Sequence, residues 1–106
     1  MKAAMKLDKY PRQLLVIIAE AALEKRLIQD VKRFGAHGYT IFDVRGGGTA
    51  GVREGIVEAD RTIHMEVVCE ESVADTIAHH VLTNYAAHYS VTMYFADVQV
   101  LRPAKY

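Results

Sequence analysis

The sequence predicts an α+β domain with ferredoxin-like βαββαβ order. Its four-stranded antiparallel sheet carries both helices on one face, and a long loop joins strands two and three. Three observations lead there. Two segments have strand character, one a continuous aliphatic run and the other strictly alternating, and each is followed by a segment of helical periodicity. A further strand-like run closes each half. A glycine-rich polar stretch separates the halves.

Leu14-Leu15-Val16-Ile17-Ile18-Ala19 is uninterrupted and aliphatic, the signature of a central strand buried on both faces. Ala21 to Phe34 then places Leu23, Leu27, Val31 and Phe34 on one helical face, with Glu24, Lys25, Asp30, Lys32 and Arg33 elsewhere. Gly35 is suited to stop that helix in the left-handed conformation. A second strand is expected from Gly38 to about Arg45, followed by Gly46-Gly47-Gly48-Thr49-Ala50-Gly51 as a loop. From Thr62 to Cys69 the side chains alternate, Ile63, Met65 and Val67 against His64, Glu66 and Val68, which is period two. Ser72 with Asp75 resembles a capping box, and Val73, Ile77, Val81 and Tyr85 follow along one helical face. Val91 to Leu101 forms the last strand, ended by Arg102-Pro103. With both helices on one face, Val68, Tyr89, Tyr94, Ala96 and Val98 would leave the other face too apolar for water, so self-association is expected.

At 106 residues the chain suits one domain, expected to comprise an N-terminal extension over residues 1–12 and the folded unit over 13–106. Thirteen basic residues balance thirteen acidic ones, so charge gives no reason to expect a nucleic-acid or lipid-surface partner. Cys69 is the single cysteine, which excludes an intrachain disulfide and agrees with a reducing compartment. Residues 1–12 lack the apolar run of a signal peptide, and Leu14–Ile18 is far too short to span a bilayer. A cytoplasmic protein with no membrane insertion is expected.

Four of the seven glycines fall between Gly46 and Gly51. Such a run leaving a strand either wraps an anion with main-chain N–H groups or serves as a flexible connector. Arg45 is a phosphate contact or an edge-strand charge. Arg53, amid Gly51 and Gly55, is either a bidentate anion contact or a solvated side chain beside Glu54 and Glu58. His79 and His80 are adjacent on a helix and point in different directions, so they cannot share a metal as an i, i+4 pair would. No metal site is assigned. Cys69 reads as a small buried apolar residue, Glu66 as a lone strand carboxylate, and no nucleophile–base arrangement stands out. No enzyme is expected.

The element order, Gly38-x-Thr40 at the start of strand two, Arg45-Gly46-x-Gly48, the strand Ile63–Cys69 and the terminal Arg102 together resemble the PII signalling superfamily over roughly residues 13–102. The likeness is nearest to PII-like proteins associated with carboxysomes and inorganic-carbon uptake. It implies a homotrimer with nucleotide bound in the clefts between subunits and a "T-loop" as the switch. Carried over by position, Ile18 and Val68 would border adenine and Thr40 would lie near the base or ribose. Gly46, Gly47, Gly48 and Thr49 would offer N–H groups to phosphate, and Arg102 would add a charge. His88, Tyr89 and Ser90 would belong to the nucleotide contacts through the turn after helix two. Bicarbonate is the implied second ligand, at Arg45 and Arg53. A transporter or enzyme partner would be reached through the T-loop.

Several departures bear on the ligand. Tyr85-Ala86-Ala87-His88-Tyr89-Ser90 lacks the glycine and lysine with which many PII proteins grip the outer phosphates, and Thr49 replaces a frequent arginine. Both remove positive charge, so ADP or AMP is expected ahead of ATP, with no covalent cofactor. Residues 46–61 contain no tyrosine for uridylylation, and the ending Pro103-Ala104-Lys105-Tyr106 lacks the cysteine pair of the nucleotide-hydrolysing relatives. The alternatives are a metal-binding trimer of the same fold, similar to copper-tolerance proteins, and a nucleotide-hydrolysing enzyme.

Overall fold

The computed structural model describes residues 5–48, 51–53 and 61–106. Four long strands form one antiparallel sheet: β1 (Tyr10–Glu20), β2 (Thr40–Val44), β5 (Thr62–Cys69) and β6 (Val91–Val100), in the order β2-β5-β1-β6. Helices α1 (Glu24–Arg33) and α2 (Glu71–Asn84) complete the α+β, ferredoxin-like arrangement. The aliphatic run is central as expected, and β1 extends it to Tyr10.

Register decides which side chains share a face. Leu15, Ile17 and Ala19 stand beside Val67, Met65 and Ile63, and all six are sealed under Leu23, Leu27 and Val31 of the first helical segment and Ala74, Ile77 and Val81 of α2. Cys69 and Tyr85 belong to the same core. Burying each large aliphatic side chain there contributes about 1.5–3 kcal/mol. On the opposite face, Thr40, Glu66, Val16 and Tyr94 lie abreast across four strands. Phe42, His64, Ile18 and Thr92 form the next row. Tyr94 is 51% exposed and Phe42 44% exposed, so among the described residues nothing covers them, although Val16 between their strands is buried.

Gly35 has φ of +101°, and the amides of Gly35 and Ala36 donate to the carbonyls of Lys32 and Val31. This is the double hydrogen bond of a Schellman ending, and it requires the left-handed residue.

Four expectations need correction. The first helical segment opens as a 3-10 turn over Ala21–Leu23 before α1 begins, with the Ala21 amide donating to the Arg61 carbonyl. Ser72 is not an N-cap: α2 starts at Glu71, Glu70 takes the cap position without a side-chain bond, and the Ser72 carbonyl accepts from Thr76 Oγ1. Helical backbone one turn earlier satisfies the amides that a serine cap would have served, as the Ala74 amide donates to the Glu70 carbonyl. Gly46–Gly48 is not loop but a short strand, β3, paired with β4 (Gly51–Arg53). Tyr89 leaves the open face and packs against the helix-side core, its ring edge-on to Tyr85 at 6.5 Å.

Candidate functional site

A cavity of about 800 Å³ opens on the uncovered sheet face, where β2, β5 and the end of β6 come together. Thr40 of β2, Glu66 and Val68 of β5, and Arg102, Lys105 and Tyr106 beyond β6 line it. Register explains the strand contribution: Thr40 faces Glu66, and Val68 is on the same face one alternate position further on. The post-β6 wall exists because Pro103 starts a 3-10 turn over Pro103–Lys105, which folds the chain back instead of letting it run on. Gly38 and Tyr39 form the approach to Thr40, and the Tyr39 ring lies 5.9 Å from the Lys32 ammonium. Two cationic side chains, Arg102 and Lys105, thus share a cavity with one carboxylate, Glu66. Glu66 Oε2 is 3.2 Å from His64 Nε2, and the His64 ring stacks on Phe42 at 4.5 Å. An apolar wall beside two cations suits a flat ring attached to an anionic tail.

The sequence-predicted residues divide into two groups. Thr40, Val68 and Arg102 meet at this cavity, and Ile18 is on the same face one row away, paired with His64 and Thr92. Arg45 and Gly46–Gly48 follow β2 at the other end of the sheet, where Val44 pairs with Thr62 and Thr62 with Glu20. His88, Tyr89 and Ser90 are at that end too: the Ser90 amide donates to Glu20 Oε2 at 2.6 Å. Val100 is paired with Tyr10 and Val91 with Ala19. Nine residue steps along β1 put the Arg102 end of the cavity roughly 30 Å from His88–Ser90, whereas Thr40 is five residues from Arg45, at most about 17 Å away. A nucleotide at the Arg102 end does not reach His88–Ser90 of the same chain. Arg53 pairs with Gly46 across the β3–β4 hairpin, and Thr49 lies outside the described residues.

The family described as nitrogen regulatory protein P-II matches residues 12–105. The chain belongs to the P-II family. A PII-like signalling protein from Thermus thermophilus is 41% identical, with a TM-score of 0.82, and the match covers 94% of this chain and 99% of that one. CPII, a nitrogen regulatory PII-like protein from Thiomonas intermedia bound to ADP, AMP and bicarbonate, is 30% identical with a TM-score of 0.84, covering 94% and 97%. The apo form of CPII is similar at 27% identity and a TM-score of 0.73, covering 91% and 98%.

Lys105 and Tyr106 are cavity residues of this P-II chain that the sequence reading missed, along with the placement of Glu66. The available signal was Pro103 shortly after the last strand, a residue that stops the strand and favours a turn, here the one that brings the next residues back toward the sheet. The remaining titratable groups have other surroundings. Cys69 is buried, and burial together with Glu70 pushes its thiol up to about 11, so it stays protonated. Tyr85 donates to Asp30 Oδ2, and His80 Nε2 and Arg33 Nη2 approach the same carboxylate at 3.3 and 3.2 Å. Burial first, and the Asp30 bond second, push the Tyr85 phenol up to about 12. His80 is thereby committed to the α1–α2 contact, while His79 faces solvent. Among the described residues no three His, Cys, Asp or Glu side chains gather as metal ligands, and no helix is long and apolar enough to cross a membrane.

Proposed function

We propose that this P-II protein is a sensor of adenine nucleotide, ADP or AMP ahead of ATP, bound in clefts between the subunits of a homotrimer. The observation that carries this is the division of the site between two ends of one sheet face. The end with Val68, Arg102 and Lys105 offers an apolar wall and cations, whereas His88–Ser90 lie roughly 30 Å from Arg102 along the sheet and Gly46–Gly48 follow β2 at that same far end. A second copy would bring its far end to the first copy's cavity, and the open face with Tyr94 and Phe42 would be covered by the same contact. Val68 and Ile18 would then border adenine, Thr40 the ribose, Arg102 the phosphates, and Gly46 to Thr49 would add main-chain N–H groups. The bound ADP, AMP and bicarbonate of CPII support the choice of ligands.

Bicarbonate is the second ligand of this proposal, held by Arg45 and Arg53. The T-loop, residues 46–61, is the switch through which this protein, itself cytoplasmic, regulates a transporter or enzyme of inorganic-carbon metabolism, carboxysomal in type. Residues 1–12 are the N-terminal extension of the 13–106 domain in this proposal, with Tyr10–Arg12 joined to its sheet as the start of β1, and no catalytic step is assigned. Calorimetric titration of ADP, AMP and ATP, with and without bicarbonate at fixed pH, tests this. Tighter ADP binding in bicarbonate, with reciprocal tightening of bicarbonate by ADP, is the expected result. Nucleotide binding indifferent to bicarbonate removes the carbon link, and no nucleotide binding removes the function.

A further inference from the structure

Arg12 stands on the open sheet face in β1, opposite Val98, and is half-buried. Its guanidinium donates in three directions: Nη2 to the Pro103 carbonyl at 3.0 Å, Nε to the Tyr106 backbone oxygen at 3.3 Å, and Nη1 to the Pro11 carbonyl at 2.9 Å. The turn it grips is closed internally by the amides of Lys105 and Tyr106, which donate to Arg102 and Pro103. Among the described residues, the hydrogen bonds that tie this turn to the sheet all come from Arg12. Arg102 and Lys105, the cations of the cavity, stand at the start and end of that turn.

We infer that Arg12 is a positioning residue of the nucleotide site: it pins the Pro103–Tyr106 turn so that Arg102 and Lys105 face the phosphates, an inference that rests on the nucleotide site proposed above. The physical requirement is a rigid planar donor. Carbonyls from two separate chain segments are satisfied at once by one guanidinium, whereas an ammonium on a flexible stem holds one or two of them and fixes no plane. Because Arg12 touches backbone only, any side-chain sequence in the turn would be held. The specificity therefore lies in Arg102 and Lys105, and the geometry in Arg12. Loss of the pin leaves both cations in place chemically but spreads them over many positions, and a ligand must then order them on binding.

The test compares wild-type protein with Arg12→Lys, Arg12→Gln and the control Lys9→Gln, which removes the same charge from an exposed site. ADP and adenosine are titrated into each by calorimetry, and amide hydrogen exchange of Lys105 and Tyr106 is followed by NMR without ligand. Both Arg12 variants are expected to bind ADP about tenfold more weakly, and adenosine within about twofold of wild type, because only the phosphates depend on the turn. The control should behave as wild type, and the two turn amides should exchange faster in both Arg12 variants while β1 and β5 amides do not. Arg12→Lys binding ADP as wild type does overturns the inference, as does an equal loss for ADP and adenosine. Unchanged exchange at Lys105 and Tyr106 overturns the pin whatever the ligand does. A wild-type protein that binds no ADP overturns the nucleotide site itself, and with it this role for Arg12.

Discussion

Replacing Tyr85 with phenylalanine isolates one hydrogen bond at the heart of the helix layer. The Asp30 side chain is only 11% exposed and its carboxylate is approached by Tyr85, His80 and Arg33. Tyr85→Phe keeps the ring and its edge-on contacts with His80 and Tyr89, and removes one donor. A hydrogen bond to a charged group contributes about 1.5–3 kcal/mol. Two other donors remain on Asp30, so the cost belongs at the low end, about 1.5 kcal/mol or roughly tenfold in the unfolding constant. The phenol's pKa rises from 10.0 to about 12, first through burial and second through the Asp30 bond, so the direction agrees with a bond that needs the phenolic proton. The raised value means that the fold prefers the protonated phenol. This stability is complete below pH 10 and disappears as pH rises through 12. Urea unfolding followed by far-UV circular dichroism, at one fixed protein concentration, reads both effects. The wild type should exceed Tyr85→Phe at pH 8, and the gap should close toward pH 12; the other tyrosines titrate in both proteins and cancel. Equal stability at pH 8, or a gap that persists unchanged at pH 12, refutes the reasoning.

Other expectations follow from single residues. Gly35→Ala should destabilise by about 1 kcal/mol in the same urea assay, since a Cβ would meet nothing within 4 Å and the whole cost is the positive φ. Cys69, 1% exposed and with a thiol raised from 9.0 to about 11, should react with iodoacetamide at pH 8 at least ~100-fold more slowly in the folded protein than in urea; prompt labelling of the folded chain would contradict its burial. Arg102→Ala should weaken ADP about ten- to a hundredfold and spare adenosine, measured by calorimetry, because a cation lost from a phosphate is a lost charge-assisted bond.

Most of the fold was legible because its signals are local. The aliphatic run of β1, the alternation of β5 and the four-residue spacing of Ile77, Val81 and Tyr85 each fix which side faces the core, and all three appear in the buried cluster. Gly35 was legible for the same reason, since a left-handed helix ending is decided within three residues. Ser72 misled because a cap is decided by where the preceding strand releases the chain. β5 ends at Cys69, and the helix begins two residues later, before Ser72 is reached. The glycines misled in a similar way: Gly46–Gly48 pairs with Gly51–Arg53, so hairpin partners three to seven residues away take the inward half of the backbone groups expected to await a ligand and leave only the outward half for one.

The site was less legible because it is assembled by register, which links residues far apart in sequence. Thr40, Val68 and Arg102 were identified as separate motifs, but only the pairings β2–β5 and β1–β6 show that they meet at one cavity and that Ser90 lies at the far end of the same sheet. Arg12 is the extreme case. Its partners Pro103 and Tyr106 are 91 and 94 residues away, and no local pattern in Tyr10-Pro11-Arg12 marks it out. A backbone-gripping arginine looks the same in sequence as a solvated one, because what it recognises is carbonyl oxygen, common to every residue. Residues that contact ligand through a side chain can be found by chemical type. Those that hold such residues in place through the main chain become visible only when the strands have been laid side by side.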